Sequence, residues 1–111
     1  MNAGLKTALA RTLYIDKKEK IMRTVHILKL NSNFAMAVLK GLKTFEIRKN
    51  DRGFQTGDHI IFKVVDDSGR EQPHELNNID YVITYVLSGW GIQDGYVALG
   101  IRKGRKRRGK Q

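Results

Sequence analysis

Cysteine is absent from this 111-residue chain, which excludes both a disulfide framework and a thiolate metal site and makes a reducing, cytoplasmic setting the expectation. Long apolar runs are also missing. None approaches the roughly 20 residues that a bilayer span needs, and the first residues lack the continuous apolar stretch of a secretory signal, so no membrane role is expected. Histidine occurs three times with no metal-ligand spacing, and Asp66-Asp67 lacks the further oxygen donors of a calcium loop, so neither metal nor cofactor is expected. What remains is a chain of one-domain length with 41% hydrophobic residues, enough for a single core.

Acidic residues are scarce in a particular way. The formal charge is +10, yet residues 22–101 carry nine Lys or Arg and nine Asp or Glu and are neutral. Residues 1–21 hold five bases against two acids. Residues 102–111 hold seven bases (Arg102, Lys103, Arg105, Lys106, Arg107, Arg108, Lys110) and no acid. That last segment has no apolar side chain with which to offset its ordering entropy. It reads as a disordered cationic tail, able to neutralise phosphates without sequence preference, or as a solubilising or targeting segment.

Residues 1–21 are set apart for a second reason. Leu5, Ala8, Leu9 and Leu13 fit a short amphipathic helix. Lys18-Glu19, however, is encodable as AAGGAG, a ribosome-binding sequence, two codons ahead of Met22. Met22 is thus a candidate start, and residues 1–21 an extension outside the folded unit of residues 22–101.

Within that unit the periodicities are legible. Val25 to Leu30 reads as a buried strand. Asn31 to Leu39 reads as a helix with capping candidates Asn31, Ser32 and Asn33, ended by Gly41. Thr44–Arg48, His59–Val65, Ile79–Leu87 and Tyr96–Ile101 read as further strands, with Asp66 to Gly69 a turn and a glycine-rich loop around Trp90. The fold class is therefore α+β and mostly β: about five strands in a closed or partly closed barrel, with one helix across an opening.

Chemistry concentrates in Gly41–Arg48, GLKTFEIR. Alternation sets Thr44, Glu46 and Arg48 on one strand face and Phe45 and Ile47 on the other, and Lys43 at the corner reaches the polar face through its long stem. An acid between two bases suits a nucleotide. Lys43 and Arg48 present donors to phosphate or a base edge, while Glu46 accepts from an amino group or holds the guanidinium. The competing explanation is an ion-pair cluster that merely fixes the helix-to-strand corner.

The string Gly41, Lys43, Glu46, Arg48 fits the GxKxxExR motif of the ASCH domains in the PUA-like superfamily. His26–Leu30 before the helix, Arg48–Phe54 after the motif and Gly57-Asp58 entering the next strand also match that pattern. From Thr24 to Ile101 the chain resembles small bacterial and phage members of that group. The resemblance implies a PUA-like pseudo-barrel whose cleft holds RNA or a modified nucleotide, with DNA as an open alternative. Lys43, Glu46 and Arg48 carry over as motif residues. Lys49, Asn50, Asp51 and Arg52 would rim the cleft, Arg52 foremost, by stacking on a base or forking onto phosphate.

Some ASCH relatives are enzymes. Those similar to amidohydrolases of acylated cytidine pair the motif lysine with a threonine nucleophile where this chain has Glu46. Thr44 is the only nearby substitute, and no positioned base beyond Lys43 activates it. For relatives that cleave single-stranded RNA, the acid and base would come from His26, His59 and Lys43. Lys43, common to both chemistries, is thus the catalytic residue only if the chain is an enzyme, and RNA or nucleotide binding is preferred to RNA cleavage, nucleoside deacylation or a protein-interaction role. His26, inside an apolar strand, reads as a hydrogen-bonded core or cleft-edge residue. Trp90 reads as a barrel cap, and Phe34, Phe45, Phe54 and Phe62 as core.

Overall fold

The computed structural model describes residues 11–16 and 21–106, with side-chain surroundings for residues 23–104. It is α+β and mostly β. The elements are β1 (Arg11–Asp16), β2 (Ile21–Asn31), α1 (Ser32–Leu39), β3 (Phe45–Lys49), β4 (His59–Val65), a 3-10 turn (Glu75–Asn78), β5 (Ile79–Leu87) and β6 (Tyr96–Lys106). They form one mixed sheet in the order β1-β2-β4-β5-β6-β3, in which only β2 and β4 run parallel. The connection between that parallel pair carries α1 and sends β3 to the far edge. The motif therefore lies on an edge strand.

Local chemistry accounts for the elements. Asn31 caps α1, its side chain accepting from the Asn33 N–H at 2.8 Å, and Gly41 adopts φ 77° while the amides of Leu42 and Lys43 donate to the Ala37 carbonyl. Alternate residues of each strand turn inward: Leu28 and Leu30, Ile60, Phe62 and Val64, Tyr81 and Ile83, Val97 and Leu99, all buried against Ala35 and Val38 of α1. Each large aliphatic side chain removed from water contributes roughly 1.5–3 kcal/mol. Gly57, at φ 95°, turns the chain into β4, and its amide and the Asp58 carbonyl both bond Ile83 of β5.

Two expectations about the ends need revision. Residues 11–16, set aside as an extension, form β1 and join the expected strands of the sheet, giving six among the described residues, and Leu13 lies in a strand; Leu5, Ala8 and Leu9 lie outside the described residues. The segment expected to be a disordered tail begins as structure. Arg102 pairs Val82, Lys103 pairs Tyr81 and Lys106 pairs Ile79, which extends β6 alongside β5. Backbone pairing with an existing strand needs no apolar side chain, and Gly104 permits it, since a Cβ there would lie 2.8 Å from the Asp80 carbonyl oxygen. Arg107, Arg108 and Lys110 lie outside the described residues.

Candidate functional site

The motif strand is inside out. Glu46 is only 4% exposed, whereas Phe45 and Ile47 on the opposite face are each 48% exposed. The register explains the orientation: Glu46 pairs Leu99 and Arg48 pairs Val97, both inward residues of β6, while Phe45 pairs Gly100 and Ile47 pairs Ala98 on the outside. Alternation correctly separated the two faces, but it carries no information about which face meets the core.

A buried carboxylate is stable only if paired and hydrogen-bonded. Lys43 Nζ donates to Glu46 Oε1 at 2.9 Å and to the Phe45 carbonyl at 2.8 Å. Arg48 Nε donates to Glu46 Oε2 at 2.7 Å, and its Nη2 lies 2.6 Å from the same oxygen. Arg48 Nη2 also donates to the Lys29 carbonyl of β2. The Lys43 ammonium sits over two aromatic rings, 5.5 Å from the Phe34 centroid and 4.9 Å from that of Phe45. Two cations thus share one anion, which leaves one uncompensated positive charge in a partly buried cluster. One N–H of Lys43 and the two of Arg48 Nη1 have no partner among the described residues.

The cluster lies on a seam. The bonds Ile101 N–H to Thr44 O and Asn50 N–H to Gly95 O fix the β3–β6 ladder, so the carbonyls of Phe45 and Ile47 face away from β6. Beyond this edge lies β2, whose Ile27 and Lys29 carbonyls accept from Arg52 and Arg48 rather than from a strand. Arginine side chains close the barrel where backbone pairing stops. The Lys43–Glu46–Arg48 cluster and this arginine-bridged seam are joined through Arg48, which bonds both Glu46 and the Lys29 carbonyl.

The expected rim residues separate accordingly. Arg52, expected to stack on a base or fork onto phosphate, donates from Nη1 to Ile27 O at 2.8 Å, and its Nε lies 3.9 Å from Asp51. It braces the seam. Lys49 is exposed at the end of β3, and Asn50 is exposed with its amide tied to Gly95. Thr44 is exposed, and its hydroxyl makes no hydrogen bond among the described residues, while Lys43 is engaged by Glu46.

The histidine pairs could not be read from spacing. His26 is fully buried, with Nε2 2.8 Å from Asp58 Oδ2 and its ring 4.6 Å from that of Phe54. Asp58 also accepts from the Gln55 amide, while His26 Nδ1 has no partner among the described residues. A buried, carboxylate-paired imidazole cannot touch an RNA 2′-hydroxyl. His59 Nδ1 pairs with Asp80 at 3.0 Å on β5. The partner residues are 32 and 21 positions away, a separation that only parallel and antiparallel strand pairing brings together. Among the described residues no three His, Cys, Asp or Glu side chains are grouped to hold a metal ion.

The aromatic expectations divide. Phe54 and Phe62 are core, whereas Phe34 is 50% exposed and Phe45 is turned outward by the inverted strand. Trp90 is not a cap: it is 91% exposed at a turn with φ 53°, between glycines that are also left-handed. Tyr85 is 64% exposed, and burial of Tyr81 holds its phenol above the ordinary value.

The chain belongs to the DUF3850 family, a domain of unknown function, whose model matches residues 25–101. No curated protein matches the chain significantly. The matched span runs from β2 to the inward residue Ile101 of β6, and so contains the whole Lys43–Glu46–Arg48 cluster and its seam.

Proposed function

We infer that this DUF3850 domain binds RNA or a modified nucleotide, holding an anionic or hydrogen-bonding edge against Lys43 and Arg48 with Glu46 as the organiser of both. The observation that carries this reading is the inverted strand. Placing Phe45 and Ile47 inward would bury apolar surface at no electrostatic cost, yet the strand exposes them and buries a carboxylate with two cations. A corner brace needs one ion pair. The second cation and the three unpartnered N–H groups suit an anionic ligand.

The order of strand, helix, motif and Gly57-Asp58 turn supports kinship with the ASCH domains, and on this reading the binding cleft is assigned to the seam between β2 and β3. The basic residues at the end of β6 add phosphate affinity of a sequence-independent kind. A cytoplasmic setting goes with such a ligand. No helix among the described residues is long and apolar enough to cross a membrane.

Filter binding to single-stranded RNA across a salt series tests the reading. Lys43→Ala and Arg48→Ala are each expected to weaken binding about tenfold or more, as loss of a charge-assisted hydrogen bond does. Deleting residues 107–111, which leaves β6 intact, should lower the salt slope and preserve cleft-dependent binding. Wild-type affinity in both point variants, with binding abolished by the deletion, contradicts it.

A further inference from the structure

The outer face of β3, β6 and β5 carries a feature that the cleft does not use. Phe45 and Tyr85 are both in register with Gly100 of β6, so two exposed aromatic residues stand on the same face on either side of a position without a side chain. Two strand spacings separate their backbones by about 10 Å. Facing rings that each take a stacking contact of about 3.5 Å can close on one planar ring. A Cβ at Gly100 would lie 2.7 Å from Thr84 Oγ1 at the β5 bulge, so the small Thr84 hydroxyl rather than a side chain of residue 100 lies at the floor between the two rings.

Cations stand on both sides. The Lys43 ammonium covers Phe45, leaving the half-exposed ring open elsewhere, and it is the same ammonium that anchors the cleft. Along β6, Arg102 follows Gly100 by two positions on the same face. It is exposed and makes no ion pair among the described residues. A period of two residues in a strand is about 6.6 Å, close to the reach from a base to its own phosphate in an extended single strand. Double-stranded nucleic acid keeps its bases stacked on one another. A slot between protein rings therefore selects an unpaired base.

We propose that Phe45 and Tyr85, flanking Gly100, form a nucleobase slot outside the cleft, with Arg102 holding the adjoining phosphate, so that the ligand is a single strand rather than a free nucleotide. This rests on the cleft reading for the first nucleotide and adds a second binding position. Lys43 joins the two, touching Glu46 in the cleft and the Phe45 ring at the slot.

The test uses the full chain, with fluorescein-labelled RNA and DNA hexanucleotide pools and a mixture of nucleoside monophosphates. The hexanucleotides should bind at least about tenfold more tightly than the monophosphates. Tyr85→Ala, at an exposed position, should weaken hexanucleotide binding about tenfold and leave monophosphate binding within about twofold, while Tyr85→Phe retains wild-type affinity because the ring stacks. Arg102→Ala should lower the salt slope by about 1. A preference between the RNA and DNA pools identifies the sugar, and Tyr85 dependence with either pool supports the slot. Monophosphates bound through Lys43 as tightly as hexanucleotides, with Tyr85→Ala unchanged, overturn the slot and leave the cleft standing. Hexanucleotide binding lost in Tyr85→Ala but unaffected by Lys43→Ala supports the slot and overturns the cleft. No binding of either probe overturns both.

Discussion

Glu46 is the residue on which the site turns. Its two oxygens are divided between Lys43 and Arg48, and those cations in turn hold the Phe45 and Lys29 carbonyls. Glu46→Gln keeps the shape and removes the charge, leaving two cations close together in a partly buried place. Thermal or chemical denaturation should show a loss of about 1–3 kcal/mol. The same variant should bind inorganic phosphate more tightly than wild type, because the cations lose the anion they shared. Unchanged stability and unchanged phosphate affinity together would show that Glu46 organises nothing. Arg52 illustrates the opposite lesson at this scale. Its composition-level promise as a phosphate ligand is redirected by the Ile27 carbonyl, an acceptor that no pattern in the sequence places beside it.

Among the elements, the turn between β4 and the 3-10 helix gives the clearest pH signature. Asp66 accepts from the amides of Ser68 and Arg70 and from the Ser68 hydroxyl, and these bonds, that from Arg70 foremost, hold its carboxyl below the ordinary range. A lowered folded value means that the contribution is present above the unfolded carboxylate range and is lost as pH falls through the folded value. Carboxyl NMR should therefore place the Asp66 midpoint below those of exposed carboxylates, and turn amides should begin exchanging faster as Asp66 protonates. A midpoint in the ordinary range would contradict the assignment. The same turn, the capped helix and the strands His59–Val65 and Ile79–Leu87 were legible in sequence, because capping, glycine and short apolar runs bounded by turn residues are local signals. The polarity of β3 was not, since a period of two residues looks the same from either face. Nor was the strand from Arg102 to Lys106, where composition argued for disorder and the neighbouring edge of β5 prevailed. The His26–Asp58 pair needed the parallel β2–β4 alignment to be seen at all.

For the whole molecule, the sheet order brings the motif strand and the basic end of β6 together. β3 crosses to the edge beside β6, so the motif, the seam with β2 and the basic end of β6 share one side of the barrel, and Ile101 bonds directly to the Thr44 carbonyl. A neutral core of nine bases and nine acids over residues 22–101 exerts little bulk attraction on nucleic acid. On the proposed reading, selectivity comes from the local excess at Lys43 and Arg48, and nonspecific affinity from the basic end. The most direct measurement is a proton–nitrogen NMR titration of the labelled protein with a single-stranded RNA pool, followed at the Arg48 Nε–H, which is bonded to Glu46 at 2.7 Å. The account predicts that this signal and the backbone amides of residues 43–48 move together and saturate, and that the same set moves when residues 107–111 are deleted. Perturbations confined to residues beyond 101, with Arg48 Nε–H and the motif amides unmoved at saturation, would contradict it.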